Sequence, residues 1–197
     1  MALALAAGVS LIDAPYARDQ YLQHIPTAIG VPILAWTAWR GRVSSLSMTC
    51  IVLFTLLHVL GARYVYSVVP YDRVLESLFG FTLADTFGFE RNHYDRLVHL
   101  MFGLLLTVPV VELLRRRGAE VGSAALLAFA ISMGASAIYE IFEWLLTLAM
   151  ASEDAHRYNG QQGDLWDTQK DMALAGIGAA IAVIAVARRF GREPNAA

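Results

Sequence analysis

Charge is what this sequence has least of. Asp, Glu, Lys and Arg make up 16% of its 197 residues, against 57% hydrophobic, where a soluble domain carries about 25% charged residues. A chain this poor in polar side chains cannot coat a water-soluble globule, and a mean hydropathy of +0.50 agrees. A basic excess is also missing. The formal charge is -2, which argues against a nucleic-acid partner, since that needs a basic face. Cysteine is nearly absent. Cys50 stands alone in an apolar run, so an intramolecular disulfide and a cysteine metal motif are excluded. It reads as a small core or lipid-facing residue. Repeats, low-complexity tracts and a second, soluble domain are absent as well.

Long apolar runs are present instead. Each spanning helix takes roughly 20 residues, so residues 1–197 read as one all-α transmembrane domain of about six helices in a single bundle. The runs are 1–12, 25–39, 46–66, 94–114, 123–150 and 167–187. The first lacks a basic start, and Asp13-Ala14-Pro15 is a poor cleavage site, so it reads as a short helix rather than a secretory signal. The start of the chain is expected to clip that helix. The fifth is long enough to tilt or project. Between the third and fourth runs, residues 71–92 mix acids and glycines with Leu75, Leu78, Phe79, Phe81, Phe87 and Phe89. This segment is expected to be an interfacial loop lying on the membrane or re-entering it. Compact arginine clusters at Arg40 and Arg42, at Arg115 to Arg117, and at Arg188, Arg189 and Arg192 mark the cytoplasmic side. Both termini then lie inside, as an even number of helices requires.

A charged side chain in hydrocarbon costs about 2.5–3.5 kcal/mol on insertion scales unless it is paired or faces a polar cavity. The apolar runs nevertheless contain His58, Asp95, His99, Glu140, Glu143 and Asp171. At ~1.5 Å of rise per residue, His58, His99, Glu140, Glu143 and Asp171 lie roughly 6–12 Å inside the outer ends of their helices, in the same outer half. Asp95 and His99 are four apart and Glu140 and Glu143 three apart, so each pair shares a helix face. Asp164, Asp167 and Asp171 follow i, i+3, i+7, one stripe if the last helix begins early. Inward-facing carboxylates and histidines from several helices are also how di-metal bundles are built, although no Glu-x-x-His pair occurs here.

The pattern defines a candidate polar pocket facing the periplasm. His58, His99, Glu140 and Asp171 are candidate ligands for a divalent metal, and Glu140, Glu143 and Asp95 candidate acid–base groups. Tyr64, Tyr94, Trp144, Asp164, Trp166 and Asp167 are candidate substrate-pocket residues. The oxygen and nitrogen donors suit Zn, Mn, Fe or Mg alike. Each residue also has a plainer reading. Glu140 and Glu143 could be neutral interhelical hydrogen-bonders. Asp95 could be a helix-start acid, with His99 a satisfied interhelical histidine. Asp164 and Asp167 are better read as caps of the last helix. Trp144 and Trp166 suit an interfacial belt, as do Tyr64, Tyr66, Tyr71, Tyr94, Tyr139 and Tyr158. Gly176 and Gly178, with Ala175, Ala179 and Ala180, read as close helix packing.

These residues carry a resemblance. The strings His58-x-x-Gly61-x-x-Tyr64-x-Tyr66-x-x-x-Pro70, Asn92-x-Tyr94-Asp95-Arg96-x-x-His99 and Tyr139-Glu140-x-x-Glu143-Trp144 resemble those of the YjdF-like family of bacterial inner-membrane proteins. So does Gln162-Gly163-Asp164-x-Trp166-Asp167-x-Gln169-x-Asp171-Met172, the most specific of them. The likeness covers residues 58–187. Val65 departs from it, standing where the family usually has threonine. Asp95-Arg96-Leu97-Val98-His99 is also distantly similar to a string of the VanZ-like group, with Arg for Lys. Asp167-Thr168-Gln169-Lys170-Asp171 fits that group in part, with Asp for Asn. The resemblance implies a fold and an inner-membrane location, and no reaction.

Four functions remain open. The polar layer could bind a metal or a lipid-linked head group and act on it. The chain could instead be a non-catalytic accessory subunit of a larger membrane complex, or His58 and His99 could be axial ligands to a haem or pigment. An ion pathway is the weakest, because the cytoplasmic half has no matching ladder of ionisable residues.

Overall fold

In the computed structural model, residues 2–149 and 160–190 are described, and Tyr158 lies outside them. Among the described residues all regular structure is helical. The helices are α1 (Ala2–Ser10), α2 (Ala17–Gln23), α3 (Ile25–Trp39), α4 (Ser45–Arg63), α5 (Tyr71–Phe79), α6 (Leu83–Phe87), α7 (Tyr94–Met101), α8 (Thr107–Arg116), α9 (Val121–Ala149) and α10 (Asp167–Phe190). A π-turn over Phe102–Leu106 joins α7 to α8, so the two form one interrupted rod.

Helices long and apolar enough to cross a membrane are Ser45–Arg63, Tyr94–Arg116, Val121–Ala149 and Asp167–Arg188. The first two apolar runs are shorter. The 15 residues of α3 rise about 22 Å at 1.5 Å each, less than the ~30 Å hydrocarbon core. The nine residues of α1 rise still less. Both pack beside α4. Arg63, in the last turn of α4, donates to the Ser10 carbonyl at 2.5 Å and to that of Ile12 at 2.8 Å. It thereby satisfies acceptors left open at the end of α1. Gln20 of α2 donates to the Ser10 carbonyl at 2.9 Å, which ties the two short helices together.

The interfacial segment is more ordered than a loop. It is α5 and α6, each ended by a left-handed glycine, Gly80 at φ 74° and Gly88 at φ 67°. Asp72 accepts from the Leu83 amide at 2.7 Å and fixes their angle. Leu78, Phe79 and Phe87 remain exposed, as an amphipathic element lying on a bilayer requires.

The arginine-rich connections meet in space: Arg116 donates to the Arg42 carbonyl at 2.8 Å. Beside them Glu112 takes hydrogen bonds from the hydroxyls of Ser44 and Ser47 and pairs with Arg116. Val111, Ala124, Ala128 and Val186 form a dry cluster at this end of the bundle.

Helix α10 is the axis of the bundle, touching α7, the π-turn, α8 and α9. Small residues make this possible. A Cβ built on Gly103 would lie 1.9 Å from the Ala175 carbonyl oxygen, and one on Gly178 would lie 2.1 Å from that of Leu100. The backbones therefore touch, as in small-residue membrane crossings, and the glycine–alanine reading of this helix holds. Helix α9 supplies the third wall with Ala124, Ala128, Ser132, Ser136 and Glu140, buried at every fourth position. Ser132 shares a 2.7 Å hydrogen bond with Thr107. Gly178→Leu is expected to destabilise the protein by more than the ~1–3 kcal/mol typical of overpacking, because the clash is with backbone. Thermal melts in detergent check this; Leu tolerated at wild-type stability would refute the close crossing.

Candidate functional site

Helices α7 and α10 both begin at the end of the bundle opposite the arginine clusters and run in parallel. His99 stands four residues before Gly103, and Asp171 four residues before Ala175, the residue Gly103 touches. One turn of helix above the crossing, the two side chains must therefore approach each other. Asp95, one turn earlier in α7, completes the group: one donor atom each from Asp95, His99 and Asp171 lies within 4.8 Å of the others. Glu140 enters from α9. His99 Nε2 is 3.5 Å from Glu140 Oε1 and 3.7 Å from Asp95 Oδ1.

Burial makes this arrangement costly. Glu140 is 6% exposed and Asp171 3%, yet Glu140 Oε1 and Asp171 Oδ1 have no hydrogen-bond partner. A buried carboxylate oxygen without a hydrogen bond is costly, and beyond the Thr168 hydrogen bond to Glu140 and the nearby His99 ring these oxygens have room for a proton or a cation. Glu140 and Glu143, with Asp167, Thr168 and Asp171, line a groove of about 500 Å³ between α9 and α10. Trp144 lies on its rim, largely exposed. The Tyr139 hydroxyl hydrogen-bonds Glu143.

His58 stands apart from this group. Its Nδ1 is 2.5 Å from the Tyr66 hydroxyl, and it lines a separate cavity of about 230 Å³ whose far wall holds Asp95 and His99. A strained turn produces the Tyr66 contact. Val65 and Tyr66 have φ of 43° and 56°, a region costly for β-branched residues. The reversal folds the Tyr66 ring over Gly61, where a Cβ would lie 2.5 Å from it. Sequence reasoning missed His24, whose ring packs edge-on to His58 at 6.2 Å. It sits in a short polar stretch before an apolar run, where nothing marks it as buried.

The remaining candidates have structural partners. Tyr94 donates to the Leu57 carbonyl at 2.9 Å, and Tyr64 packs beside the Tyr66–Tyr94 cluster. Trp166 is exposed. Helix α10 starts at Asp167, so Asp164 precedes it in a turn and does not extend the stripe. Arg91 binds Asp167 at 2.5 Å and lies 3.6 Å from Asp164. Arg96 pairs with Asp164 and lies 3.3 Å from Asp167. The Asp164 carboxylate also accepts from Lys170 at 2.6 Å and from the Trp166 amide at 3.0 Å. Arg91 went unmarked in the sequence because its partners lie some 70 residues away.

Spanning helices, an intramembrane polar cluster and a surface helix pair define a multi-pass membrane protein. Residues 1–192 match the family described as "Predicted membrane protein (DUF2238)", and the chain belongs to that family. It is 37% identical over 171 residues to the inner membrane protein YjdF of Escherichia coli (strain K12), covering 85% of this chain and 77% of that one. The YjdF-like resemblance and the inner-membrane location are thereby supported, while the VanZ-like one rests on its strings alone. No solved structure matches.

The Lys170 ammonium, the Trp166 amide and the Arg96 guanidinium hold the Asp164 carboxyl well below its usual 3.8. A depressed carboxylate contributes stability that is present above the unfolded value and lost as pH falls through the folded one. Asp164→Asn should therefore melt below the wild type at pH 7, and the gap should begin to narrow only as pH falls below ~4 and keep closing toward stronger acid. A gap constant from neutral to acid pH would contradict this.

Proposed function

We propose that the protein is a periplasm-facing intramembrane site that binds one divalent cation and acts on a lipid-linked head group. The observation behind the proposal is the pair of buried, unpartnered oxygens of Glu140 and Asp171 beside His99 Nε2. Two ligands bound at about 2.1 Å in a tetrahedral site stand about 3.4 Å apart. The His99–Glu140 and His99–Asp95 separations of 3.5 and 3.7 Å lie closer to that spacing than to a hydrogen bond of about 2.9 Å. Asp95, His99, Glu140 and Asp171 are the proposed ligands. His58 serves as an outer partner across the 230 Å³ cavity.

A cation held there would polarise a water molecule or a phosphoryl oxygen. Glu143, on the groove wall, is placed to take up the proton. Trp144 at the rim and the exposed helices α5 and α6 would border the path of a lipid substrate, and Tyr64, Asp164, Trp166 and Asp167 frame the same end. This reading puts the arginine clusters in the cytoplasm, with both termini.

Metal analysis of the purified protein tests the proposal, with about one equivalent expected in the wild type and loss in Asp171→Asn and His99→Ala. At a free concentration 100 times the Kd, the metal should stabilise the fold by about 2.7 kcal/mol, and the variants should lose that gain. A metal-free protein whose melting point ignores Zn, Mn and Mg would remove the proposal. Purification as a stable hetero-complex would favour the accessory-subunit alternative. A periplasmic reporter active after Gly80 and inactive after Gly118 is the expected orientation result; the reverse would place the site in the cytoplasmic half.

A further inference from the structure

The outer face of the α7–α10 pair carries a second feature, separate from the acidic groove. His93, Arg96, Leu97 and Leu100 lie at i, i+3, i+4 and i+7 along α7 and its cap. Lys170, Ala173, Leu174 and Ile177 repeat that spacing on α10. Residues so spaced share one helix face, and because the helices run in parallel, the two stripes lie side by side. Together they line a groove of about 520 Å³. Its upper end is basic and its lower part entirely apolar.

Among the described residues, the ion pairs at the upper end set three cations, Arg91, Arg96 and Lys170, against two carboxylates, Asp164 and Asp167, and His93 Nδ1 takes a hydrogen bond from Arg96 at 3.3 Å. Lys170 is the accessible cation, its side chain 48% exposed. Below it, Ala173 opens space that a larger residue would fill, and Leu97 and Ile177 face outward. A free anion has no use for the lower part, and a neutral lipid none for the upper. We infer that this groove binds an anionic phospholipid, with its phosphate at Lys170, Arg96 and His93 and an acyl chain along Leu97, Leu100, Leu174 and Ile177. Basic pockets between transmembrane helices bind anionic head groups by the same combination of charge and apolar depth. The site does not depend on the metal proposal, because the acidic groove opens on the α9 side of α10.

Native mass spectrometry of the full chain, exchanged out of lipid and mixed with dioleoyl phosphatidylglycerol, dioleoyl phosphatidylcholine or inorganic phosphate, tests it. Phosphatidylglycerol should be retained roughly fivefold or more over phosphatidylcholine. Leu174→Trp, which fills the groove and leaves the ion pairs in place, should reduce retention of phosphatidylglycerol at an unchanged melting point. Lys170→Gln should remove the preference for the anionic lipid. Equal retention of both lipids by the wild type would overturn the inference. So would a preference that survives Leu174→Trp, or complete displacement by inorganic phosphate, which would mark an anion site only.

Discussion

The contact of backbone with backbone where the π-turn crosses α10 is the constraint on which the rest of the molecule depends. Gly103 against Ala175 and Gly178 against Leu100 leave no room for a side chain. In lipid, helix association gains nothing from the hydrophobic effect, so close packing and interhelical polar contacts must supply it. With the crossing set, the register of two parallel helices is set as well. Asp171 has to face His99, and the Arg96 level has to face Asp164 and Asp167. The π-turn belongs to the same device. A single wide turn places Gly103 at the contact while keeping His99 above it, and such bulges occur often at functional positions.

Polarity is distributed unevenly along this axis. From the end where α10 begins it passes from the part-buried ion pairs of Arg91 and Arg96 with Asp164 and Asp167 to the buried acids, then to Ser136 and the Ser132–Thr107 hydrogen bond. Beyond that, Val111, Ala124, Ala128 and Val186 close the interior. Glu112 lies past this plug and is held by serines and Arg116. A carboxylate so engaged makes a poor proton relay.

Much of this was legible in the residues. The spanning runs, the amphipathic character of residues 71–92, the small-residue face of α10 and the shared level of His99, Glu140 and Asp171 all follow from helical periodicity and the cost of charge in hydrocarbon. Other features were not. The reach of α3 was hidden because apolar length alone does not show where a helix stops. Helix α2 was invisible because a polar seven-residue helix has no periodicity to read. His58 lies at the same level as the acids, but depth along a helix says nothing about the direction a side chain takes. The turn at Val65 and Tyr66 gives it the Tyr66 hydroxyl as a partner, and it faces Asp95 and His99 across a cavity.

Composition and spacing were therefore enough to establish a helical membrane protein with ionisable residues gathered toward one end, because hydrophobic length and charge burial are local properties of the chain. The partners of those residues follow from packing alone. Rotation about each helix axis and the depth of each crossing are set by contacts between segments distant in sequence, and these bring Asp95, His99 and Asp171 together while Arg91 and Arg96 hold Asp164 and Asp167. The same physics divides one polar layer into a buried acidic cluster and a groove edged by His93, Arg96 and Lys170, on opposite sides of a single helix.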